Sequence, residues 1–283
     1  MHVVIGIITR NRANVVTKAI ESALAQDFPN TRVVVFDDAS TDETAELSKR
    51  YPSVAWRRSS HVQGYLALRN LLMKESAADF FCSLDDDAWF LSDDVLSAGV
   101  SYLAQHDSVA ALAYDIVSPD KPDVRPRLSP FPINIFIGCG HLLRLRPVRK
   151  AGYYIAGPGW YGGEEKDLCI RLLDSGHQVM KLPGVHVWHD KTTIARDQRV
   201  QYSSGVANDL ALTLRRTPIG VLPIALAGKV FQHLGFALRN RLLPSCFNGF
   251  RLFFGHLGEL WHSRRPVKLA TLRTYRRLSR ANS

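Results

Sequence analysis

Through its first half the chain alternates short apolar runs with stretches of helical periodicity. Residues 2–9 form an almost unbroken β-branched run, the pattern of a strand covered on both faces. Residues 13–26 place Val16, Ile20, Ala23 and Leu24 at helical spacing. Val33-Val34-Val35-Phe36 reads as a second strand ending in Asp37-Asp38. Thr41-Asp42-Glu43-Thr44 supplies helix-start residues, with acids in the first turn where the helix dipole favours them. Val54-Ala55-Trp56 is a weaker third strand and 64–77 a helix. Phe80 to Leu84 is a fourth strand, and it ends in Asp85-Asp86-Asp87. Such alternation predicts an α/β fold, a mostly parallel central sheet flanked by helices. Sheets of this kind bind ligands beyond the carboxyl ends of their strands.

The second half is patterned differently. Pro119, Pro122, Pro126, Pro130 and Pro132 mark 118–132 as a loop, the expected boundary between a nucleotide-binding half at 1–117 and an acceptor-binding half at 118–202. Ile133 to Leu145 reads as one strand, followed by a Gly-rich turn, a helix near Lys166 to Ser175, and short strands at 178–182 and 185–188. From about Ser203 the pattern is helical and amphipathic, giving a helical extension at 203–283. The apolar stretch Ile219 to Leu226 is broken by Pro223 and closed by Lys229, short of the ~20 residues a membrane span needs. Phe247, Phe250, Phe253, Phe254, Leu257 and Trp261 form an aromatic stripe with Arg251 and His256 between them. That stripe fits either packing against the body or a face lying on an anionic membrane.

Charge sharpens the second option. The net +10 is unevenly placed: from Arg215 onward there are thirteen Lys/Arg and one acid, Glu259, while the rest of the chain is close to neutral. Such a tail calls for an anionic partner, here peripheral membrane contact through residues 215–283. Its four cysteines, Cys82, Cys139, Cys169 and Cys246, stand apart with no CxxC pair, as expected for buried thiols in a reducing compartment. The apolar run at the start is short and lacks a basic leader, so a cytoplasmic location is expected, at the inner face of the membrane if the tail binds it.

The candidate chemistry lies in the acids. Adjacent carboxylates repel unless something positive is expected among them. Three aspartates after a buried strand suit a hard cation that keeps positions for substrate phosphates, and a divalent ion there would neutralise a diphosphate leaving group. The plainer reading of such a run is a capped turn, since Ser92-Asp93-Asp94 follows. No GxGxxG follows the first strand, only Thr9-Arg10-Asn11-Arg12, and no GxxxxGK[ST] occurs.

Five segments in order, "IITRNR", "VVVFDDASTDET", "FFCSLDDDA", "GGEEKDLCIRLLDSGH" and "VHVWHD", resemble family 2 glycosyltransferases with the GT-A fold. The likeness extends into "ANDLALTLRRTP" and "FNGFRLFFGHLGELWHSRRPV", similar to helical tails of bacterial polysaccharide-pathway members. The resemblance implies an inverting, metal-dependent transfer from a nucleotide diphosphate sugar. It puts Thr9, Arg12, Asp38 (with Asp37 as second candidate), Asp85 and Asp86 at the nucleotide. Asp87, Asp85 and His189 would face Mn2+ or Mg2+, and Gly138, Gly140 and Trp160 the acceptor side. "GGEEKDL" resembles the family's "ED" motif with Glu165 in place of its aspartate. This leaves Glu165 or Glu164 as the base, Glu165 preferred. Asp167 and Arg171, four apart, are expected to pair on a helix surface, and of His186 and His189 at most one should face the site. The implied partners are a UDP-linked donor and a glycan or lipid-linked acceptor. A nucleotidyltransferase would bring a Gly- and Lys/Arg-rich loop near the start, and a nucleic-acid-binding tail would leave the acids unexplained.

Overall fold

A computed structural model of the chain describes residues 1–121, 128–191 and 197–282. Pro122 and Pro126 of the expected boundary loop lie outside the described residues. Its contacts divide the chain into two compact units, Met1–Tyr153 with Gly176–Thr192, and Tyr154–Ser175 with Thr193–Ser283.

The first unit is a curled α/β sheet. Its strands are β1 (Val3–Thr9), β2 (Thr31–Asp37), β3 (Ala55–Arg58), β4 (Phe80–Asp85), β5 (Ala88–Phe90), β6 (Val109–Val117), β7 (Phe131–Pro132), β8 (Gly140–Arg144) and β9 (Gln178–His189). They lie in the order β3-β2-β1-β4-β8-β6-β9-β5, with β7 beside β9. β1, β2, β3 and β4 are parallel, while β8 runs antiparallel to both β4 and β6. The helices are α1 (Ala13–Leu24), α2 (Leu47–Arg50), α3 (Tyr65–Glu75), α4 (Val95–Gln105) and α5 (Leu145–Ala151). Ile5, Ile7, Val35, Cys82 and Leu84 of the central strands are buried against Val16 and Ile20 of α1 and Leu96 and Val100 of α4. Gly6 is required by packing: a Cβ there would sit 2.4 Å from the Phe81 ring.

Two expectations change here, and one gap is filled. Ile133 to Leu145 is not one strand. Only Gly140–Arg144 pairs in the sheet, because the chain first turns at Gly138-Cys139, where the Cys139 carbonyl accepts from the Asp85 amide. Strands 178–182 and 185–188 are one strand, β9, which crosses an irregularity at Gly184 (φ +80°) whose amide donates to Asp115. The stretch from Val95 to Val117, unassigned from sequence, holds α4 and the fully buried β6.

The second unit is helical: α6 (Glu164–Asp174), α7 (Gln198–Arg216), α8 (Leu222–Arg239), α9 (Leu243–Gly255), α10 (Leu257–His262) and α11 (Leu269–Ala281). Its core gathers Val206, Leu210 and Leu214 of α7 with Leu222 and Ala237 of α8, Cys246 and Phe253 of α9 and Leu260 of α10. Asp167 and Arg171 pair at 2.7 Å, but the pair is buried rather than at the surface, because Arg216 of α7 also grips Asp167 at 2.6 and 3.2 Å. The apolar stretch is neither broken at Pro223 nor closed at Lys229. Pro223 sits in the first turn of α8, where its missing N–H costs nothing, and the helix runs on to Arg239. Ile219–Arg239 is therefore long and apolar enough to cross a membrane by length and composition alone. All four cysteines are buried thiols, none of them in a disulfide.

Candidate active site

The acidic triplet begins where β4 ends, level with the end of β1 next to it. Chain alternation turns its members to different partners. Asp86 faces β1: Thr9 Oγ1 donates to Asp86 Oδ2 at 2.9 Å and an Arg12 guanidinium N–H donates to Asp86 Oδ1 at 2.6 Å. Burial, reinforced by the charge of Asp87, pushes the Asp86 carboxyl up to about 6 against the opposing pull of Arg12 and Thr9. Asp85 is held from α3, whose buried Arg69 reaches it at 2.8 Å. Asp87 turns toward β9, and its Oδ1 lies 3.3 Å from His189 Nε2.

Asp85, Asp87 and His189 thus offer three ligand atoms within 4.8 Å of one another. Among the described residues His189 Nε2 is buried with no hydrogen-bond partner, which a neutral imidazole avoids unless another ligand is expected. Antiparallel pairing of Ala88 with His189 fixes the register that brings the histidine to the triplet. His186 stands opposite Asp115 on β6, away from this cluster's register.

The loops after β1 and β2 are tied together. Asn11 (φ +54°) and Ala39 (φ +55°) both take the left-handed conformation, which costs a non-glycine residue roughly 1 kcal/mol or more. Asn11 Oδ1 accepts from the Thr41 amide and the Asn11 amide donates to Ser40 Oγ. Asp37 Oδ1 accepts from the Ser40 amide at 2.8 Å. Asp38 is buried and receives the Gln63 and Gly64 amides, one on each oxygen, both at 2.8 Å. Gly138 lies in the turn leading into β8, and Gly140 packs beneath Val187, whose methyls would stand 3.0 Å from an added Cβ.

Glu164, Glu165 and Trp160 belong to the second unit. Glu164 is buried and Glu165 half-buried in the first turn of α6. The preceding loop is gripped by one side chain, Asn208 of α7. Its amide nitrogen donates toward the carbonyls of Gly159, Tyr161 and Gly162 at 3.2, 3.0 and 2.6 Å, and its oxygen accepts from the Gly159 amide at 2.7 Å. Ser204 accepts from the Trp160 amide. The indole of Trp160 is left 81% exposed on this anchored loop. A Cβ at Gly157 would meet Asn208 Oδ1 at 2.0 Å, and one at Gly159 the Ser204 backbone at 2.5 Å, so the glycines are the mould for α7.

Two residues of these arrangements escaped sequence reading. Arg69 is a cation among the buried Leu68, Leu72 and Met73 of α3. A charge at such a position demands a carboxylate partner, and that demand was the available signal. Asn208 carried none, since its partners are backbone groups of a distant loop.

The family model described as glycosyl transferase family 2 matches residues 4–156. The chain belongs to this family of glycosyltransferases. Over 106 residues it is 28% identical to the poly(ribitol-phosphate) beta-N-acetylglucosaminyltransferase TarS of Staphylococcus aureus, covering 35% of this chain and 18% of that relative. An uncharacterized glycosyltransferase of Rickettsia felis is 33% identical over 88 residues, 30% of this chain and 14% of that relative. The match therefore spans less than a fifth of either relative. Among solved structures, TarS 1-349 in complex with UDP-GlcNAc superimposes with a TM-score of 0.66 at 16% identity, covering 88% of this chain and 79% of that one. The mannosyltransferase PcManGT from Pyrobaculum calidifontis, in complex with GDP-Man and Mn2+, gives 0.62 at 17%, covering 91% and 75%. At such identities the likeness establishes the fold, which is GT-A with a C-terminal helical part.

Proposed function

We propose that the chain transfers a sugar from a nucleotide diphosphate sugar, UDP-linked by preference, to a hydroxyl of a lipid-linked glycan or polysaccharide precursor, with inversion at the anomeric carbon. The observation that carries this reading is the cluster of Asp85, Asp87 and His189 beside Thr9, Arg12 and Asp86 at the strand ends, the place where α/β sheets receive ligands. The nucleotide sugars named with TarS and PcManGT support the donor class.

Two carboxylates and an imidazole whose buried nitrogen has no hydrogen bond fit a divalent cation. Asp85, Asp87 and His189 would hold Mn2+ or Mg2+, the nitrogen donor favouring Mn2+. When bound, such an ion supplies Lewis-acid stabilisation of the departing diphosphate. Around it, Thr9 and Arg12 hold Asp86 in place, leaving Arg12 as the cation beside the phosphates. Asp38 orders the Gln63–Gly64 amides, and each of its oxygens keeps a second lone pair for an N–H of the base. Asp37, bound to the Ser40 amide, is the second candidate for that role.

On the acceptor side Glu165 is the general base. It takes the hydroxyl proton as that oxygen attacks the anomeric carbon from the face opposite the diphosphate. The new C–O bond forms as the bond to the diphosphate breaks with its electron pair, and the proton stays on the carboxylate. Half-burial at a helix N-terminus suits a base that must be ionised yet reachable; Glu164, more deeply buried, is the second candidate. Trp160 offers a flat apolar face for a sugar ring; Gly138 and Gly140 are the acceptor-side candidates of the first unit. The basic second unit would place this chemistry at the cytoplasmic face of a membrane.

Calorimetric titration of UDP into the protein, with Mn2+ and then with EDTA, tests the reading. Binding is expected with the metal and is expected to vanish with EDTA or in Asp87→Ala. Equal binding in all three conditions would refute the metal-assisted site.

A further inference from the structure

Helix α8 has its polarity reversed. Apart from Arg239 at its end, its charged and titratable side chains point inward: Lys229 Nζ and His233 Nε2 reach Asp209 of α7 at 2.8 and 3.2 Å, joined by Lys166 of α6 at 3.5 Å. Burial alone would raise the Asp209 carboxyl, yet His233, Lys166 and Lys229 together hold it well below the usual carboxylate range. Leu226, Val230 and Leu234 also pack inward, against the core of the second unit. Outward it presents Ile224, Phe231 and Leu238, which are 79, 73 and 63% exposed. They stand seven residues apart, two helical turns each, so they form one stripe about 21 Å long. A water-facing helix in a globular protein shows the opposite arrangement.

The neighbouring helices repeat the pattern with cations. On α9 the exposed Phe247 and Phe254 flank the exposed Arg251 at spacings of four and three, on one face. Arg239 closes α8, Arg241 follows it, and α11 carries Arg273, Arg276, Arg277 and Arg280. None of α8, α9 and α11 contains an acid. An apolar stripe accompanied by cations, on helices that carry no acid of their own, matches the boundary between acyl chains and anionic headgroups.

We propose that the outward face of α8, with Phe247 and Phe254 of α9, docks into the interfacial layer of an anionic membrane with the α8 axis in the membrane plane. The helix is apolar enough to span, but spanning would strip Lys229 and His233 from Asp209 and expose the inward face that the core already covers. The proposal deepens the lipid-linked acceptor of the preceding reading and rests on it for the reason the membrane is sought. In contrast to the aromatic stripe expected from sequence, Phe250 and Phe253 turn inward and the decisive residues are on α8.

The test is flotation of the full chain with vesicles of phosphatidylcholine, with and without phosphatidylglycerol, alongside UDP calorimetry on the same samples. Binding to the anionic vesicles only is expected, weakened by high salt and fully released by alkaline carbonate. Phe231→Ser with Leu238→Ser should weaken it at least about tenfold while leaving UDP binding unchanged. A Phe231→Trp chain, which loses no apolar surface, should be quenched by lipids brominated near the headgroup end of the chain. No flotation with UDP binding intact would overturn the docking proposal alone. Flotation without UDP binding would instead overturn the donor reading. Retention through carbonate would mean a span, and equal flotation of the serine variant would put the contact elsewhere. A dimer abolished by the same serines would mean that a second copy covers the face. Each of these three results overturns the proposal.

Discussion

Asn208→Ala probes whether the loop before α6 is held by one amide. The side chain is buried and fills four contacts: three carbonyls share its two N–H groups, and its oxygen takes the Gly159 amide. Two donors and one acceptor make about three bonds' worth, each contributing roughly 1 kcal/mol net. The ordered loop should therefore lose about 3 kcal/mol, a factor of order 100 in its opening equilibrium. Hydrogen exchange reads this directly, because the Gly159 amide loses its acceptor: its protection should fall by about that factor. Global melting should drop by several degrees, given about 2–4 °C per kcal/mol for a chain of this size. Asn208→Asp should be worse than alanine, since it sets a carboxylate against three carbonyls. Geometry supplies a second control. Gly157→Ala in the native background drives its Cβ to 2.0 Å from Asn208 Oδ1, whereas on Asn208→Ala the two nearest atoms are gone and only the position-208 Cβ remains, at 3.2 Å. The double mutant should then cost less than the sum of the singles. Unchanged Gly159 protection in Asn208→Ala, or strict additivity with Gly157→Ala, would refute the account.

Two further outcomes follow from buried charge. His141 is wholly buried on β8, and burial, aided by the charge of Arg69, holds its ring down to about 3 although the Ile137 and Gly138 carbonyls pull the other way. The unfolded chain takes up this proton below about 6.5, so stability is full above that pH. It is lost as pH falls from 6.5 toward 3, by about 1.4 kcal/mol per pH unit or roughly 2 kcal/mol at pH 5. Denaturant titrations should show a shallower pH slope between 6 and 4 in His141→Phe, and an unaltered slope would count against it. Arg69→Met removes the cation beside Asp85, and with Asp85 partly exposed the loss should be about 2 kcal/mol, less than for a wholly buried pair. Mn2+ should restore part of that loss in thermal melts, because a bound cation replaces the missing charge; a metal-independent deficit would refute the link.

What the sequence disclosed was local. The β-branched run 2–9, the strands closing on Asp37-Asp38 and Asp85-Asp86-Asp87, and the helix near Lys166 follow from periodicity and from acids at strand ends, and β1, β2, β4 and α6 stand there. Legibility failed where a partner far along the chain decides the outcome. Lys229 looked like the close of the apolar stretch because a lone cation in an apolar run normally seeks water; Asp209 of α7 gives it a place inside, and α8 runs on to Arg239. Asp167 and Arg171 looked like a surface pair because i, i+4 spacing reports only their mutual reach; Arg216 buries them. Apolar alternation suggested one strand from Ile133 to Leu145, but a sheet ladder needs a neighbour at every step, and β4 offers one only from Phe80 to Leu84.

The triplet shows why three adjacent acids persist in one turn. Were they equivalent, their repulsion would favour protonation or an exposed loop. Alternation makes them inequivalent: Asp86 turns to Thr9 and Arg12 of the β1 loop, Asp85 to Arg69 of α3, and Asp87 to His189 of β9. Two guanidinium groups thus stand against three carboxylates, with Arg12 also reaching Asp87 at 3.5 Å, so one negative charge of the triplet is left over. Each cation comes from a different element, so the turn is set only when β1, α3 and β4 are assembled. The same assembly leaves the two oxygen donors and the imidazole nitrogen converging on one point. An isolated capping turn has no need of that convergence, whereas a site that must accept a cation together with a diphosphate does.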